Sequence, residues 1–321
     1  MLPFLEQIQP ELMQVNDSIQ AQLRSEEPLV EEIGHHLINA GGKRLRPILV
    51  ILCVRALSTN ETLPRHALAA VIEFIHTATL LHDDVVDVSK LRRGLPTANA
   101  RWGNAPSVLV GDFLYSRAFQ MMVSIGNMDI MQILSQTTNI IAEGEVQQLA
   151  NARNPHLSEG NYLNVIYKKT AALFEAACEC GAALVNAHSE QRALLKNYGH
   201  NLGMAFQLMD DFLDYQGDAS ELGKNIGDDL AEGKATLPLI RTLQNCSKKE
   251  AELIQTSIRN ADKSPIASIC QTMESYGGFE YTRKLAESYA NKAQNVAAEL
   301  PASQWREHLI VLAQFAIGRK N

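Results

Sequence analysis

An acidic pattern, DDxxD, occurs twice in the chain and is its feature best suited to chemistry. The six aspartates are Asp83, Asp84, Asp87, Asp210, Asp211 and Asp214. Residues four apart on an α-helix share a face, so the first and last aspartate of each motif point the same way and repel each other. Mg²⁺ relieves such repulsion, because it takes oxygen ligands and usually binds one or two carboxylates together with substrate phosphates. We therefore expect two facing DDxxD helices that hold a diphosphate through Mg²⁺.

Three other interpretations of the acidic motifs are less favoured. One DDxxD alone is as often a solvated helix end, but two copies on apolar helices, each followed by a loop with cations, favour a metal site. Calcium is less favoured because no loop has the spacing of an EF-hand. Zinc is less favoured because the motifs lack histidine and cysteine ligands.

Cationic residues follow both acidic motifs and interrupt other apolar stretches. They are Lys43, Arg44, Arg46, Arg92, Arg93, Lys168, Lys169, Lys224 and Lys234. The planar fork of arginine suits phosphate oxygens, and lysine supplies a point charge. Each residue alone is more often a solvated surface group, but together they exceed what one metal-bound diphosphate needs. The sequence thus predicts two anionic sites, one bridged by Mg²⁺ and one held by arginine, lysine and histidine.

Two uncharged polar residues lie shortly before the aspartates. His76 precedes Asp83 by seven residues, two turns on the same helix face, and this position favours a role in binding. Gln207 lies one turn before Asp210, where it can hydrogen-bond a phosphate or orient an aspartate. His82 is interpreted as a packing residue.

Helices must position these groups, because helical periodicity dominates the sequence. In "AVIEFIHTATLLHDDVVD" the apolar residues recur at three- and four-residue intervals. Similar patterns cover residues 105–125, 129–150, 159–186, 189–216 and 276–299. Proline and glycine fall in joints that are too short to be linkers. We expect one all-α domain over residues 1–321, a single bundle of about a dozen helices.

The composition narrows the class of protein. The chain has 321 residues, of which 46% are hydrophobic, and its net charge of −7 argues against a nucleic-acid partner. Its five cysteines form no zinc or CxxC pattern, so reduced thiols in the cytoplasm are expected. The N-terminal segment carries acids and the apolar runs are short, so neither a signal peptide nor a transmembrane segment is expected.

These motifs and their surroundings resemble the trans-prenyltransferases, or polyprenyl diphosphate synthases. The resemblance runs from about residue 20 to the C-terminus and is carried by "GGKRLRP", "EFIHTATLLHDDVVD", "LRRG", "YKKTAALFEAA", "FQLMDDFLDY" and "GKNIGDDLAEGKATLP". The segments "VLVGDFLYSRAFQMM" and "IAEGEVQQL" are most similar to the octaprenyl diphosphate synthases of bacterial quinone biosynthesis. The resemblance implies a homodimeric all-α bundle around a deep central cavity, which condenses isopentenyl diphosphate with an allylic diphosphate.

The resemblance also implies a role for each motif residue. Mg²⁺ on the allylic diphosphate would be held by Asp83, Asp87, Asp210 and Asp214, with Asp84 and Asp211 as supporting residues. The same diphosphate would be surrounded by Arg92, Lys169, Thr170, Gln207, Lys224 and Lys234. Isopentenyl diphosphate would be bound by Lys43, Arg46, His76 and Arg93. Metal and cations would draw charge onto the leaving diphosphate, and the allylic cation would be attacked by the double bond of isopentenyl diphosphate.

Product length is expected to depend on residues below the first motif. Relatives with short products carry bulky aromatic residues five and four positions before it, where this chain has Ala78 and Thr79. Both are small, so we expect a product tunnel that continues past this turn. Candidates for its floor are Phe74, Phe119 and Met122. Octaprenyl diphosphate, made from farnesyl diphosphate, is the preferred product, and nonaprenyl or solanesyl-type products fit equally small residues.

Two rival functions remain to be separated. A class I terpene cyclase also has an aspartate-rich motif on a helical bundle, but its second metal motif usually contains Ser or Thr and Glu instead of a second DDxxD. A non-catalytic subunit of a heteromeric synthase typically loses aspartates from one motif, and this chain keeps both. For the favoured synthase we expect no nucleic-acid partner and a transient contact with a membrane surface when the product is released.

Overall fold

The all-α prediction is confirmed by the computed structural model, which describes residues 2–39, 41–216 and 226–318. In chain order the helices are α1 (Leu5–Gln22), α2 (Pro28–Asn39), α3 (Leu45–Leu57), α4 (Arg65–Val86), α5 (Ala98–Trp102), α6 (Asn104–Ile125), α7 (Met128–Asn151), α8 (Glu159–Ile166), α9 (Ala172–Leu184), α10 (Ser189–Gln216), α11 (Asp228–Ala231), α12 (Leu237–Asn245), α13 (Lys248–Asn260), α14 (Ile266–Ser275), α15 (Gly278–Ala298) and α16 (Gln304–Ile317). A π-helix, Tyr167–Ala171, separates α8 from α9, and a short hairpin pairs β1 (Leu91–Arg92) with β2 (Leu95–Pro96).

The chain divides into two compact units. Unit 1 comprises Met1–Thr138, Leu173–Gly199 and Val296–Leu312, and unit 2 comprises Asn139–Ala172, His200–Asn295 and Ala313–Asn321. The first acidic motif belongs to unit 1 and the second to unit 2. The single domain and its central cavity stay predictions.

Helix α4 carries the first motif and forms much of the core of unit 1. Its apolar stripe buries Phe74, Ala78 and Leu81 completely or almost so, because these residues recur at helical spacing. α4 packs most extensively against α6. The approach is close at Gly111, where an added Cβ would lie 2.2 Å from the Nε2 atom of His82. His82 therefore packs against α6, and glycine at this position permits the contact.

Helix α10 carries the second motif and contributes to the core of unit 2. Met204, Leu208 and Tyr215 on this helix are buried among apolar residues of α12, α14 and α15. The same face of α10 continues through Asp211, which is 5% exposed. Within the described ranges, every helix is too short or too polar to span a bilayer.

A buried cluster of charges ties α1 to the core of unit 1. Glu11, which is 5% exposed, accepts hydrogen bonds from Arg65 Nε at 3.0 Å and Arg55 Nε at 2.7 Å, and it also contacts the ring of His66. Burial alone would raise the pKa of Glu11, but the hydrogen bonds from His66, Arg65 and Arg55 outweigh it and hold the pKa well below 4.5. A carboxylate with a depressed pKa stabilises the folded state above its unfolded pKa.

We expect Glu11→Gln to lower the free energy of unfolding by about 2 kcal/mol near neutral pH, because Arg55 and Arg65 lose one of their two carboxylate partners and keep Glu61. The stabilisation by Glu11 should be present above a pH of about 4.5 and should be lost progressively as the pH falls below it. Thermal unfolding of wild type and variant between pH 7 and pH 2 measures both effects. Glu6→Gln, at an exposed position of the same helix, is the matched control. A gap between wild type and Glu11→Gln that stays constant with pH would contradict this account.

Candidate active site

The first acidic motif has two accessible carboxylates around a buried one. Asp83 and Asp87 are half-buried, whereas Asp84 is completely buried. Asp87 caps the end of α4, where its backbone N–H donates to the Asp83 carbonyl at 2.8 Å. The two outer carboxylates thus remain one helical turn apart on one side of the helix, as hard-cation ligands would require.

Asp84 is held by an arginine from the hairpin that follows it. Arg92 donates Nε and Nη2 to the carboxylate of Asp84 at distances between 2.7 and 3.1 Å. Asn99 Nδ2 binds the carbonyl oxygens of Asp84 at 3.0 Å and Ser89 at 3.1 Å, and Thr97 Oγ1 donates to the Ser89 carbonyl at 2.6 Å. The guanidinium of Arg92, which is predicted to bind phosphate, therefore donates from two of its three nitrogens to Asp84.

The segment before α3 presents cations from a constrained loop. Arg44 has φ 48°, in the left-handed region, and pairs with the buried Glu73 of α4. It also donates Nη2 to the carbonyl of Ile38 at 2.7 Å. This anchoring fixes the loop on either side of Arg44, where Lys43 is exposed and Arg46, in the first turn of α3, is half-buried.

His76 lies among arginines. Arg46 Nη1 donates to His76 Nε2 at 3.2 Å, and the Arg46 guanidinium lies over the Phe174 ring, 4.4 Å from its centre. Burial, and then the positive charges of Arg46, Arg93, Arg92 and Arg44, lower the pKa of His76 well below 6.5. The imidazole is therefore neutral near pH 7, with Nε2 as an acceptor and the proton on Nδ1.

A pocket of unit 1 brings several of these groups together. Its polar lining residues are His36, Arg44, Glu73, Thr77, Asp84, Arg92, Arg93 and Thr97. Arg93, which is exposed, contacts the Gly41 carbonyl through Nη1. Because Arg44 pairs with Glu73 and Arg92 pairs with Asp84, the net positive charge of this small pocket comes from Arg93. A guanidinium there suits the oxygens of a diphosphate.

The second acidic motif repeats the pattern of the first with different partners. Asp210 and Asp214 are half-buried, whereas Asp211 is buried. Asp211 accepts hydrogen bonds from Tyr162 Oη at 2.6 Å and from Gln207 Nε2 at 2.7 Å. Burial and then the negative charge of Asp229 raise the pKa of Asp211 to about 8, and Asp210 adds to this rise. The hydrogen bonds from Tyr162 and Gln207 lower the pKa but do not offset these effects. Both donors to Asp211, the Tyr162 hydroxyl and the Gln207 amide, are neutral groups.

Thr170, Lys169 and Gln207 lie near this motif in unit 2. Thr170 Oγ1 donates to Gln207 Oε1 at 2.7 Å, so the two predicted diphosphate ligands bind each other. Lys169 lies on the π-helix and donates to Glu145 at 2.6 Å and Gln148 at 2.8 Å. π-Helical turns occur frequently at functional sites, and this one consists of the residues "YKKTA".

The segment after α10 completes the surroundings of the second motif. The Asp229 backbone N–H donates to Asp214 Oδ2 at 3.3 Å, and Lys234 pairs with Glu232. Tyr162, Lys169, Thr170, Gln207, Asp211, Asp229 and Lys234 line one pocket of unit 2. Lys224 lies outside the described residues.

The outer aspartates fit Mg²⁺. Asp83 and Asp87 in unit 1, and Asp210 and Asp214 in unit 2, are pairs of accessible carboxylates, which is the ligand set that Mg²⁺ shares with substrate phosphates. In the described parts of the chain, no group of three or more His, Cys, Asp or Glu residues is arranged to hold a metal ion.

A family model described as polyprenyl synthetase matches residues 27–274 of this chain. The chain belongs to the polyprenyl synthetase family. The resemblance drawn from the motifs is thereby confirmed, and with it the enzyme class, a trans-prenyltransferase that makes polyprenyl diphosphates.

Long-chain synthases are prominent among the relatives of this polyprenyl synthetase. The octaprenyl diphosphate synthase of Escherichia coli (strain K12) is 48% identical over 306 residues, which cover 95% of this chain and 94% of that protein. The all-trans-nonaprenyl-diphosphate synthase (geranyl-diphosphate specific) of Rhodobacter capsulatus is 45% identical, covering 92% and 91%. A crystal structure of polyprenyl synthase from Caulobacter crescentus CB15, complexed with calcium and isoprenyl diphosphate, has a TM-score of 0.94 and 44% identity, covering 99% and 97%.

The candidate chain-length residues of the synthetase lie along α4 and α6 in unit 1. Ala78 is completely buried, and Thr79 is half-buried with Oγ1 donating to the His76 carbonyl at 2.7 Å. Met122 is almost completely buried, and Phe119 is half-buried. Their role in setting product length stays a prediction.

Sequence reasoning missed four residues of the synthetase that hold the motif residues in place: Glu73, Asn99, Tyr162 and Asp229. Glu73 gave a signal, because it is an acid in the apolar run "AVIEFI". Tyr162 gave none, because a tyrosine in a helical pattern is ordinarily a core residue.

Proposed function

We propose that this polyprenyl synthetase makes all-trans octaprenyl diphosphate from farnesyl and isopentenyl diphosphates, with Mg²⁺, for a quinone side chain. The observation that carries the proposal is the arrangement of each DDxxD motif, with a buried, hydrogen-bonded middle aspartate between two accessible ones. The 48% identity to an octaprenyl diphosphate synthase supports the product length. So do the small side chains of Ala78 and Thr79.

In this proposal the acidic motifs act on the allylic diphosphate. Asp83 and Asp87, with Asp210 and Asp214, hold Mg²⁺, while Asp84 and Asp211 support them from the buried faces of their helices. Bound Mg²⁺ neutralises charge that develops on the leaving diphosphate. Cationic and polar side chains complete this allylic site, namely Arg92, Lys169, Thr170, Gln207, Lys224 and Lys234.

Isopentenyl diphosphate is proposed to bind beside the pocket of unit 1, and Arg93, which lines that pocket, takes part. Lys43, Arg46 and Arg93 supply positive charge to its diphosphate. Neutral His76 accepts from Arg46 and leaves its Nδ1 proton as a donor. Because the Arg44–Glu73 pair fixes the loop, the cations are preorganised for the anion instead of being ordered on binding.

Three further properties belong to the proposal. The synthetase forms a homodimer, supported by exposed apolar side chains of α6, Leu109 and Val123, which are 65% and 68% exposed. It works in the cytoplasm, supported by five cysteines that are all free thiols. It contacts a membrane surface transiently, because its product is a diphosphate on a long hydrocarbon chain.

Incubation of the purified protein with farnesyl and isopentenyl diphosphates, with and without Mg²⁺, tests the function. We expect Mg²⁺-dependent formation of a C40 polyprenyl diphosphate, identified by mass spectrometry after removal of the diphosphate. A C45 product would favour the nonaprenyl alternative, which the 45% identity to the Rhodobacter enzyme supports. A cyclic hydrocarbon would indicate a terpene cyclase. No product at all would contradict the proposal and favour a non-catalytic subunit.

A further inference from the structure

The middle aspartates of the two motifs are anchored by chemically different partners. Asp84 is bound by the guanidinium of Arg92, so its charge is compensated by a cation. Asp211 is bound by the hydroxyl of Tyr162 and the amide of Gln207, which are both neutral. The second motif is therefore fixed in place without a positive charge on its middle residue.

Tyr162 is a rigid anchor. It lies on α8, is 4% exposed and belongs to the apolar core of unit 2 together with Leu208 and Ala171. A packed aromatic ring has few rotamers, so the position of its hydroxyl is set by the core. At 2.6 Å the hydroxyl makes a short hydrogen bond to one carboxylate oxygen, and Gln207 holds the other. Both oxygens of Asp211 are thereby fixed.

Fixing Asp211 also fixes its neighbours on α10. Asp210 adjoins it, and Asp214 lies one turn further along, so the orientation of this turn decides where both outer carboxylates point. Without the Tyr162 hydroxyl, one oxygen of the buried Asp211 side chain would lose its hydrogen bond. A buried acceptor without its donor is costly, which would favour rotation of the side chain away from its present place.

We propose that Tyr162 is a positioning residue for the second acidic motif, which acts through Asp211 to aim Asp210 and Asp214 at Mg²⁺. The inference rests on the proposed function and extends it to a residue outside both DDxxD motifs. A neutral anchor holds Asp211 without placing a cation beside Asp210 and Asp214, where a positive charge would repel Mg²⁺. Loss of the anchor should weaken Mg²⁺–diphosphate binding and leave the isopentenyl diphosphate site unchanged.

The test is Tyr162→Phe, which removes only the hydroxyl. The Mg²⁺ concentration for half-maximal activity should rise about 10-fold, the loss typical of partners that orient metal ligands. KM for isopentenyl diphosphate should not change, because Arg46 and His76 are untouched. Thermal unfolding supplies a readout without turnover. The upward shift in Tm on adding Mg²⁺ with inorganic diphosphate should shrink in the variant, because weaker binding to the folded state stabilises it less.

Tyr198→Phe is the matched control. Tyr198 is completely buried in unit 1, and its hydroxyl donates to the Leu309 carbonyl at 2.8 Å, so the control loses a comparable hydrogen bond on α10, twelve residues before Asp210. We expect it to lower Tm while its Mg²⁺ dependence and its diphosphate-induced shift stay like those of wild type.

Asp211→Asn is the second variant and decides the question if Tyr162→Phe fails to fold. It replaces one of the two acceptor oxygens by an NH2 donor, so the side chain can accept from only one of Tyr162 and Gln207. It should therefore also raise the Mg²⁺ requirement without changing KM for isopentenyl diphosphate. In the double variant the two effects should not add, since both break one interaction. An unchanged Mg²⁺ requirement in these variants, with active wild type, overturns the positioning role. Wild type without Mg²⁺-dependent transfer overturns the proposed function instead.

Discussion

Asp83→Ala should lower turnover by about two to three orders of magnitude and leave the protein folded. The loss follows because a preorganised charge at the leaving group is removed, and single groups of this kind contribute about 10²–10³-fold to turnover. The fold should survive because the Asp83 side chain is half-buried at the last turn of α4 and lies outside the apolar stripe. Removal of one of two like charges one turn apart also relieves repulsion of about 0.2–0.5 kcal/mol.

Steady-state assays with saturating Mg²⁺ and both substrates measure this effect, and thermal unfolding checks the fold. Asp17→Ala is the control, because Asp17 is an exposed carboxylate on α1 of the same unit. The control should keep the activity and stability of wild type. Near-normal turnover of Asp83→Ala at saturating Mg²⁺ would show that the metal assignment is wrong.

The helices were predictable because their apolar residues recur at helical spacing. The patterns at 105–125 and 189–216 correspond to α6 at Asn104–Ile125 and α10 at Ser189–Gln216. The pattern at 159–186, however, contains a π-helix at Tyr167–Ala171. Apolar periodicity does not distinguish one turn with i→i+5 hydrogen bonds from the α-helix around it. From the sequence alone, Lys168 and Lys169 indicate only a pair of cations within an apolar stretch.

The different roles within each DDxxD follow from the same periodicity. Asp84 continues the buried stripe of Thr77 and Leu81 on α4, and Asp211 continues that of Met204 and Leu208 on α10. The sequence therefore already distinguishes a middle aspartate on the core face from outer ones at its edge. The sequence does not indicate which side chain binds each middle aspartate, because those hydrogen bonds depend on how elements pack in the folded chain.

Separation along the chain explains which contacts escaped prediction. Tyr162 and Asp211 are 49 positions apart, and Arg44 and Glu73 are 29 apart. Arg92 lies only eight residues after Asp84, yet its sequence context gave no reason to prefer an aspartate over a phosphate as its partner. An arginine near an acidic motif can bind either an aspartate or a phosphate, and only the structure shows that two nitrogens of Arg92 donate to Asp84.

Ala78→Tyr should change the product from a long chain to one extended by only a few C5 units. A tyrosine at this position would project from α4 five residues, or about 7.5 Å, before Asp83, into the space that the growing chain is expected to occupy. Analysis of products by mass spectrometry, at fixed ratios of farnesyl and isopentenyl diphosphates, measures the shift. Thr79→Tyr, at the half-buried neighbouring position, should shorten the product as well.

The burial of Ala78 makes Ala78→Tyr a test of whether a tunnel adjoins this position. Ala78 is completely buried, so a tyrosine fits only where an apolar cavity adjoins it, and overpacking of a filled core costs about 1–3 kcal/mol or more. Ala69 is equally buried and lies nine residues earlier, on the opposite face of α4. Ala69→Tyr should therefore destabilise the fold without shortening the product. If Ala78→Tyr folds and still makes a chain of full length, the tunnel does not run along this face of α4, and the small residues there explain packing only.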